Sequence, residues 1–167
     1  MKDGAKLLGH SIHPMLIVFP LGLLATAVIF DLLRIFLENS TFALVSYWLI
    51  AAGIVGGLMA AVFGWIDWLA IPTGTRAKNI GLTHGLVNTV VLALFAGSWY
   101  LRRDDPARPE MLASALAFAG AAVSLVGGWL GGELVERLGV GVHPGANANA
   151  PSSLSTDSVL GAEVKKT

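Results

Sequence analysis

The sequence predicts an all-α fold, an integral membrane bundle of four antiparallel transmembrane helices. Three observations predict it. The 167 residues are 54% apolar and only 13% charged, with a mean hydropathy of +0.69, a balance suited to lipid rather than water. Apolar runs of the length that crosses a hydrocarbon core, about 20 residues at about 1.5 Å each, recur four times along the chain. Tyr and Trp, whose amphipathic rings favour the water–lipid interface, stand near the ends of those runs.

The first run covers 14–36. Its beginning imitates a secretory leader, with Lys2 and Lys6 ahead of it and Ala25-Thr26-Ala27 as a mock cleavage site, but the apolar stretch continues to bilayer-spanning length. The second covers 42–71, the third 80–101 and the fourth 111–132. Turn signals separate them at Glu38-Asn39-Ser40-Thr41, Ile71-Pro72-Thr73-Gly74-Thr75 and Arg103-Asp104-Asp105-Pro106. Such short loops force neighbouring helices to run antiparallel. Residues 1–143 are therefore read as one membrane domain, and 144–167 as a polar, flexible C-terminal tail.

Tyr47, Trp48, Trp99 and Tyr100 mark one membrane side, and Trp65, Trp68 and Trp129 the other. Orientation stays open, because Lys2, Lys6, Arg76, Lys78 and Arg137 on one side face Arg34, Arg102, Arg103 and Arg108 on the other. With eleven basic and eleven acidic residues and no basic patch, nucleic acid is set aside as a partner. The absence of cysteine excludes thiolate metal sites, iron–sulfur clusters and covalently attached haem. Gly53 with Gly57, Gly81 with Gly85, and Gly127 with Gly131 have the spacing that lets helix backbones approach in lipid. They are expected to form contact seams, within the bundle or in a homo-oligomer.

Alternating helix direction brings His13, Asp67, His84 and Glu133 to one membrane side, with His10, Arg76 and His143 in the flanking segments there. At 100° per residue, Asp67 shares a stripe with Gly53, Gly57, Ala60 and Gly64, and His84 one with Gly81, Gly85 and Asn88. Both are expected to point inward, whereas Glu133 lies off the glycine face. A charge deep in a membrane costs about 2.5–3.5 kcal/mol, so such residues are usually functional or paired. The bland expectation is a salt-bridge knot, with Arg76 and Lys78 neutralising Asp67. At the opposite end Asp31 is expected to pair with Arg34 as a structural contact.

His13-Pro14, Phe19-Pro20-Leu21-Gly22 and Asp31, followed by Phe63-Gly64-Trp65-Ile66-Asp67-Trp68, resemble the bacterial membrane-protein family catalogued as domain of unknown function 2231. Gly74-Thr75-Arg76-Ala77, His84, Asn88, Gly131-Gly132-Glu133-Leu134-Val135 and Gly139-Val140-Gly141-Val142 extend the resemblance over roughly 9–143. It implies a bacterial inner-membrane location but no activity. Some members of that family are joined to or encoded with Rieske-type iron–sulfur domains, which implies a redox setting for those members.

Three functions compete. The first-ranked is a non-catalytic membrane subunit or scaffold with glycine seams for partners and the polar cluster as a structural knot. The sharpest alternative is an electron-transfer protein holding a b-type haem, with His13 and His84 as axial ligands and Asp67 or Asn88 orienting a ligand ring. A further alternative groups His10, His13, His84 and Asp67 around a transition metal. Polar groups at several depths, which an ion pathway needs, are lacking, and so are the motifs of hydrolytic catalysis.

Overall fold

The computed structural model describes residues 4–155. Lys2 and residues 156–167 of the expected tail lie outside them. The chain opens with a small antiparallel hairpin, β1 (Lys6–Leu7) and β2 (His10–Ser11). Helix α1 (Ile12–Leu16) runs almost directly into α2 (Val18–Leu37). The break between them follows from Pro20, which has no N–H to give the carbonyl four residues back. Pro14 sits in the first turn of α1, where backbone N–H groups have no helical partner in any case. Helices α3 (Ser40–Ala70), α4 (Arg76–Leu101) and α5 (Met111–Gly132) follow, and a π-helical turn, Glu133–Arg137, prolongs α5.

Four helical stretches are long and apolar enough to cross a membrane: Ile12–Leu37, Ser40–Ala70, Arg76–Leu101 and Met111–Arg137. Side-chain caps start two of them. Asn39 accepts the Thr41 amide at 2.9 Å, and Thr75 accepts the Lys78 amide at 3.1 Å, each satisfying a donor orphaned at a helix start. The Thr75 cap makes the polar turn from Arg76 helical, ahead of the apolar run.

The helices form two hairpins. Helices α2 and α3 pack along their lengths, as do α4 and α5, while the hairpins meet over a shorter seam between α3 and α4 and a lighter one between α2 and α5. Leu24, Ala27, Ile50, Val91, Phe95 and Ala117 fill the centre. Large apolar side chains such as Val55, Leu58, Met111 and Leu125 point outward. Lipid reverses the soluble pattern, since bulky residues lose nothing by facing acyl chains and small ones let backbones approach. A Cβ at Gly53 would lie 2.5 Å from Leu24 Cδ2, one at Gly57 2.5 Å from Leu92 Cδ2, and one at Gly120 2.8 Å from Phe95 Cε2. The seams at Gly53 and Gly57 are thus taken up inside the bundle.

One end of the bundle is closed by ionic contacts. Arg102 and Asp31 are both fully buried, and the guanidinium grips the carboxylate through two N–H···O contacts of 2.7 and 2.5 Å. Arg102 also donates to Ser46 Oγ, to Ser98 Oγ and, at 3.5 Å, to the Ala113 carbonyl, while Ser98 Oγ donates to that carbonyl at 2.6 Å. All five guanidinium N–H groups are used, and all four spans contribute. This corrects the expected pairing of Asp31 with Arg34. Arg34 Nη2 donates instead to the Pro109 carbonyl at 3.1 Å. Asp31 faces the bundle interior, and the long stem of Arg102 lets its charged head turn inward from the end of α4.

Candidate functional site

The opposite end carries the histidines. His13 starts α1, and its Nδ1 lies 2.8 Å from the Ala60 carbonyl of α3. His84 is two turns into α4, with Nδ1 3.0 Å from the Gly127 carbonyl of α5. A carbonyl oxygen only accepts, so each Nδ1 carries the hydrogen and donates it, and in each neutral ring Nε2 is left with a bare lone pair. Each histidine is tied to its own hairpin. The two rings face one another across the seam, their centres 6.4 Å apart and their planes perpendicular.

Glycines cut the space for these rings. A Cβ at Gly64 would come within 2.9 Å of His13 Cε1, and one at Gly131 within 3.3 Å of His84 Cε1. Asn88 stands one turn beyond His84 and donates to its carbonyl at 2.9 Å. Its amide nitrogen is 3.4 Å from Nδ1 and 3.3 Å from Nε2. A group nearly equidistant from both ring nitrogens lies across the ring or its Cε1 edge, not along the Nε2 lone pair. Gly127 allows this placement, because a Cβ there would lie 2.9 Å from Asn88 Oδ1. The two glycines expected to flank His84 differ. Gly81 is covered by Trp68, 2.9 Å from a notional Cβ, whereas Gly85 has open space.

The remaining expected residues diverge. Asp67 does not meet Arg76 or Lys78. Its Oδ1 accepts the Ala5 amide at 2.9 Å, fastening the N-terminal segment to α3. Arg76 pairs with Glu133 at 2.6 Å, a contact reaching from α4 to the end of α5. Lys78 lies 3.8 Å over the Trp68 ring and donates to its carbonyl at 2.7 Å, while Trp68 Nε1 donates to the Lys78 carbonyl at 3.1 Å. This cation–π clasp holds the α3–α4 turn and takes both lysine and tryptophan away from Asp67. His10 is exposed on the hairpin, with Nδ1 3.2 Å from the Leu8 carbonyl. His143 is exposed and accepts the Gly145 amide at 3.0 Å. The set His10, His13, His84 and Asp67 is accordingly not drawn together, and among the described residues no group of three or more His, Cys, Asp or Glu side chains could hold a metal ion.

Sequence reasoning missed Ser46, Ser98 and Arg102. A signal was present in Ser98 and Arg102, four residues apart and hence on one helix face, at the same membrane side as Asp31.

A family model described as predicted membrane protein, DUF2231, matches residues 9–144. No curated protein and no solved structure matches the chain.

Proposed function

Because the chain belongs to the DUF2231 family of predicted membrane proteins, whose description names no activity, we propose from the geometry that it is a membrane subunit in which His13 and His84 hold one b-type haem. The observation that carries this reading is the matched pair of histidines. Both present the same tautomer and each is fixed through Nδ1 by a main-chain carbonyl, which turns Nε2 away from that bond; at His84 the Asn88 amide also lies 3.3 Å from Nε2. An Nδ1–H bond of this kind is what orients a metal-ligating histidine and raises its basicity. The two ring centres lie 6.4 Å apart, a spacing at which both imidazoles would reach one ion.

His13 and His84 would together hold the haem iron, so a third protein ligand is unnecessary. The open face of Gly85, with nothing within 4 Å of a notional Cβ, leaves room beside His84. Bound there, haem would supply one-electron chemistry. The chain's own part is to fix both tautomers, to keep the rings at one depth and, through Asn88, to hold the His84 ring in place. Asp67 is assigned to anchoring the N-terminal segment rather than to the ligand rings.

The test is spectroscopic. Protein purified in mild detergent from haem-replete cells is expected to show a Soret band that shifts on dithionite reduction, with one haem per chain. His13→Ala and His84→Ala should each abolish it, and Asn88→Ala should shift it. A colourless wild-type preparation would overturn the haem reading and return the protein to the scaffold reading.

A further inference from the structure

We propose that the cleft between Arg34 and Arg108 binds the phosphodiester headgroup of a membrane phospholipid that also carries a hydrogen-bond donor. The cleft, about 500 Å³, lies at the end of the bundle away from the histidines and is lined by Arg34, Ile35, Glu38, Ser40, Ala107 and Arg108. Arg34 comes from the first hairpin, near the end of α2, and Arg108 from the loop that leads into the second. Three other arginines of the bundle are ion-paired: Arg102 with Asp31, Arg76 with Glu133 and Arg103 with Asp104. Among the described residues neither Arg34 nor Arg108 has a carboxylate within ion-pair distance. One N–H of Arg34 is spent on the Pro109 carbonyl, which fixes the guanidinium beside the loop and leaves its other donors for a ligand.

Depth and charge select the ligand. Trp48 and Tyr100, both exposed at this end, mark the level where aromatic rings meet headgroups, and the cleft lies at the helix ends on the headgroup side of Trp48. Deeper on α2, toward the bilayer centre, Leu32 and Ile29 are exposed and continue the lipid-facing wall, so an acyl chain can descend while its phosphate stays with the arginines. Guanidinium groups bind phosphate oxygens through paired N–H bonds, and basic pockets at helix ends are a recurrent form of headgroup site. Glu38, held at φ +50° as the cap of α2, brings a carboxylate to the same cleft. Two cations and one anion match a singly charged phosphodiester rather than a free phosphate dianion. The carboxylate also has an acceptor to offer an ammonium or hydroxyl on the headgroup.

The full chain in nanodiscs of phosphatidylcholine, doped with either phosphatidylglycerol or phosphatidylethanolamine, tests this by native mass spectrometry of retained lipid. Wild-type protein is expected to keep one doped lipid with about tenfold preference over phosphatidylcholine. Arg34→Gln with Arg108→Gln should abolish retention, and Glu38→Gln should abolish the preference. If the double variant does not fold, Arg108→Gln alone carries the test, since that residue sits in an exposed loop. Equal retention of all three lipids, or retention unchanged by the arginine substitutions, would overturn the proposal. So would displacement of the lipid by millimolar inorganic phosphate, which would identify a free anion as the ligand.

Discussion

The two ends of the bundle gather polar side chains from different helices, but they finish them differently. At the Arg102 end every guanidinium N–H has a partner, the carboxylate is gripped twice, and all of it is fully buried. At the histidine end each ring is only half-buried and is tied by Nδ1 to a main-chain carbonyl of its own hairpin, with the Asn88 amide 3.3 Å from His84 Nε2. Although Trp99 Nε1 and Ser114 Oγ nearby are buried without a partner among the described residues, an ion pair whose charged donors and acceptors are all matched joins helices and leaves no charge to offer a ligand. A pair of fixed groups with unused lone pairs, facing each other across a seam, is the arrangement that can take one. The hairpins are therefore joined by a buried ionic network at one end, and the proposed function assigns the other end to a guest.

The largest expected effect lies in the ionic lock. Asp31→Leu leaves a buried, unpaired guanidinium, and losing one partner of such a pair costs about 3–5 kcal/mol. Thermal or SDS unfolding in detergent should register it, and Asp31→Leu combined with Arg102→Met should recover most of the loss. A silent single variant would remove the contrast between the two ends. Helix packing comes next. Gly57→Ala forces a methyl against Leu92 and should cost about 1–3 kcal/mol, whereas Gly85→Ala, with nothing within 4 Å of the new Cβ, should be neutral in the same assay.

His84→Ala separates stability from ligand binding. It should remove about 0.5–1.5 kcal/mol of hydrogen bonding from protein without haem while eliminating the Soret band altogether. A loss of stability as large as that of Asp31→Leu would make the histidine end a second lock instead of a site. The smallest effect is expected for Arg76→Ala. Its partner Glu133 is reached from a side chain that is 60% exposed, so solvent screening holds the loss to about 0.2–1 kcal/mol, readable only as a small shift of the unfolding midpoint.

The sequence made the helices legible because their signal is local. Length and hydropathy define an apolar run, and alternating direction then gathers His13 and His84 at one side whatever the packing details. The inward face of His84 followed from 100° periodicity and glycine neighbours. Partner choice was not legible in the same way. Local spacing pointed Asp31 to Arg34 and Asp67 to Arg76 and Lys78. The actual partners are Arg102, far along the chain, and the Ala5 amide of the N-terminal segment.

By itself, then, the sequence determined a four-helix membrane bundle and the clustering of its histidines, since both depend on composition, period and chain direction. Only the tertiary structure decided which polar groups pair with one another and which are tied to the main chain. Hydrogen bonds are short and directional, so rotating a helix by a fraction of a turn, or swinging one long arginine stem, changes the partner without changing any sequence pattern.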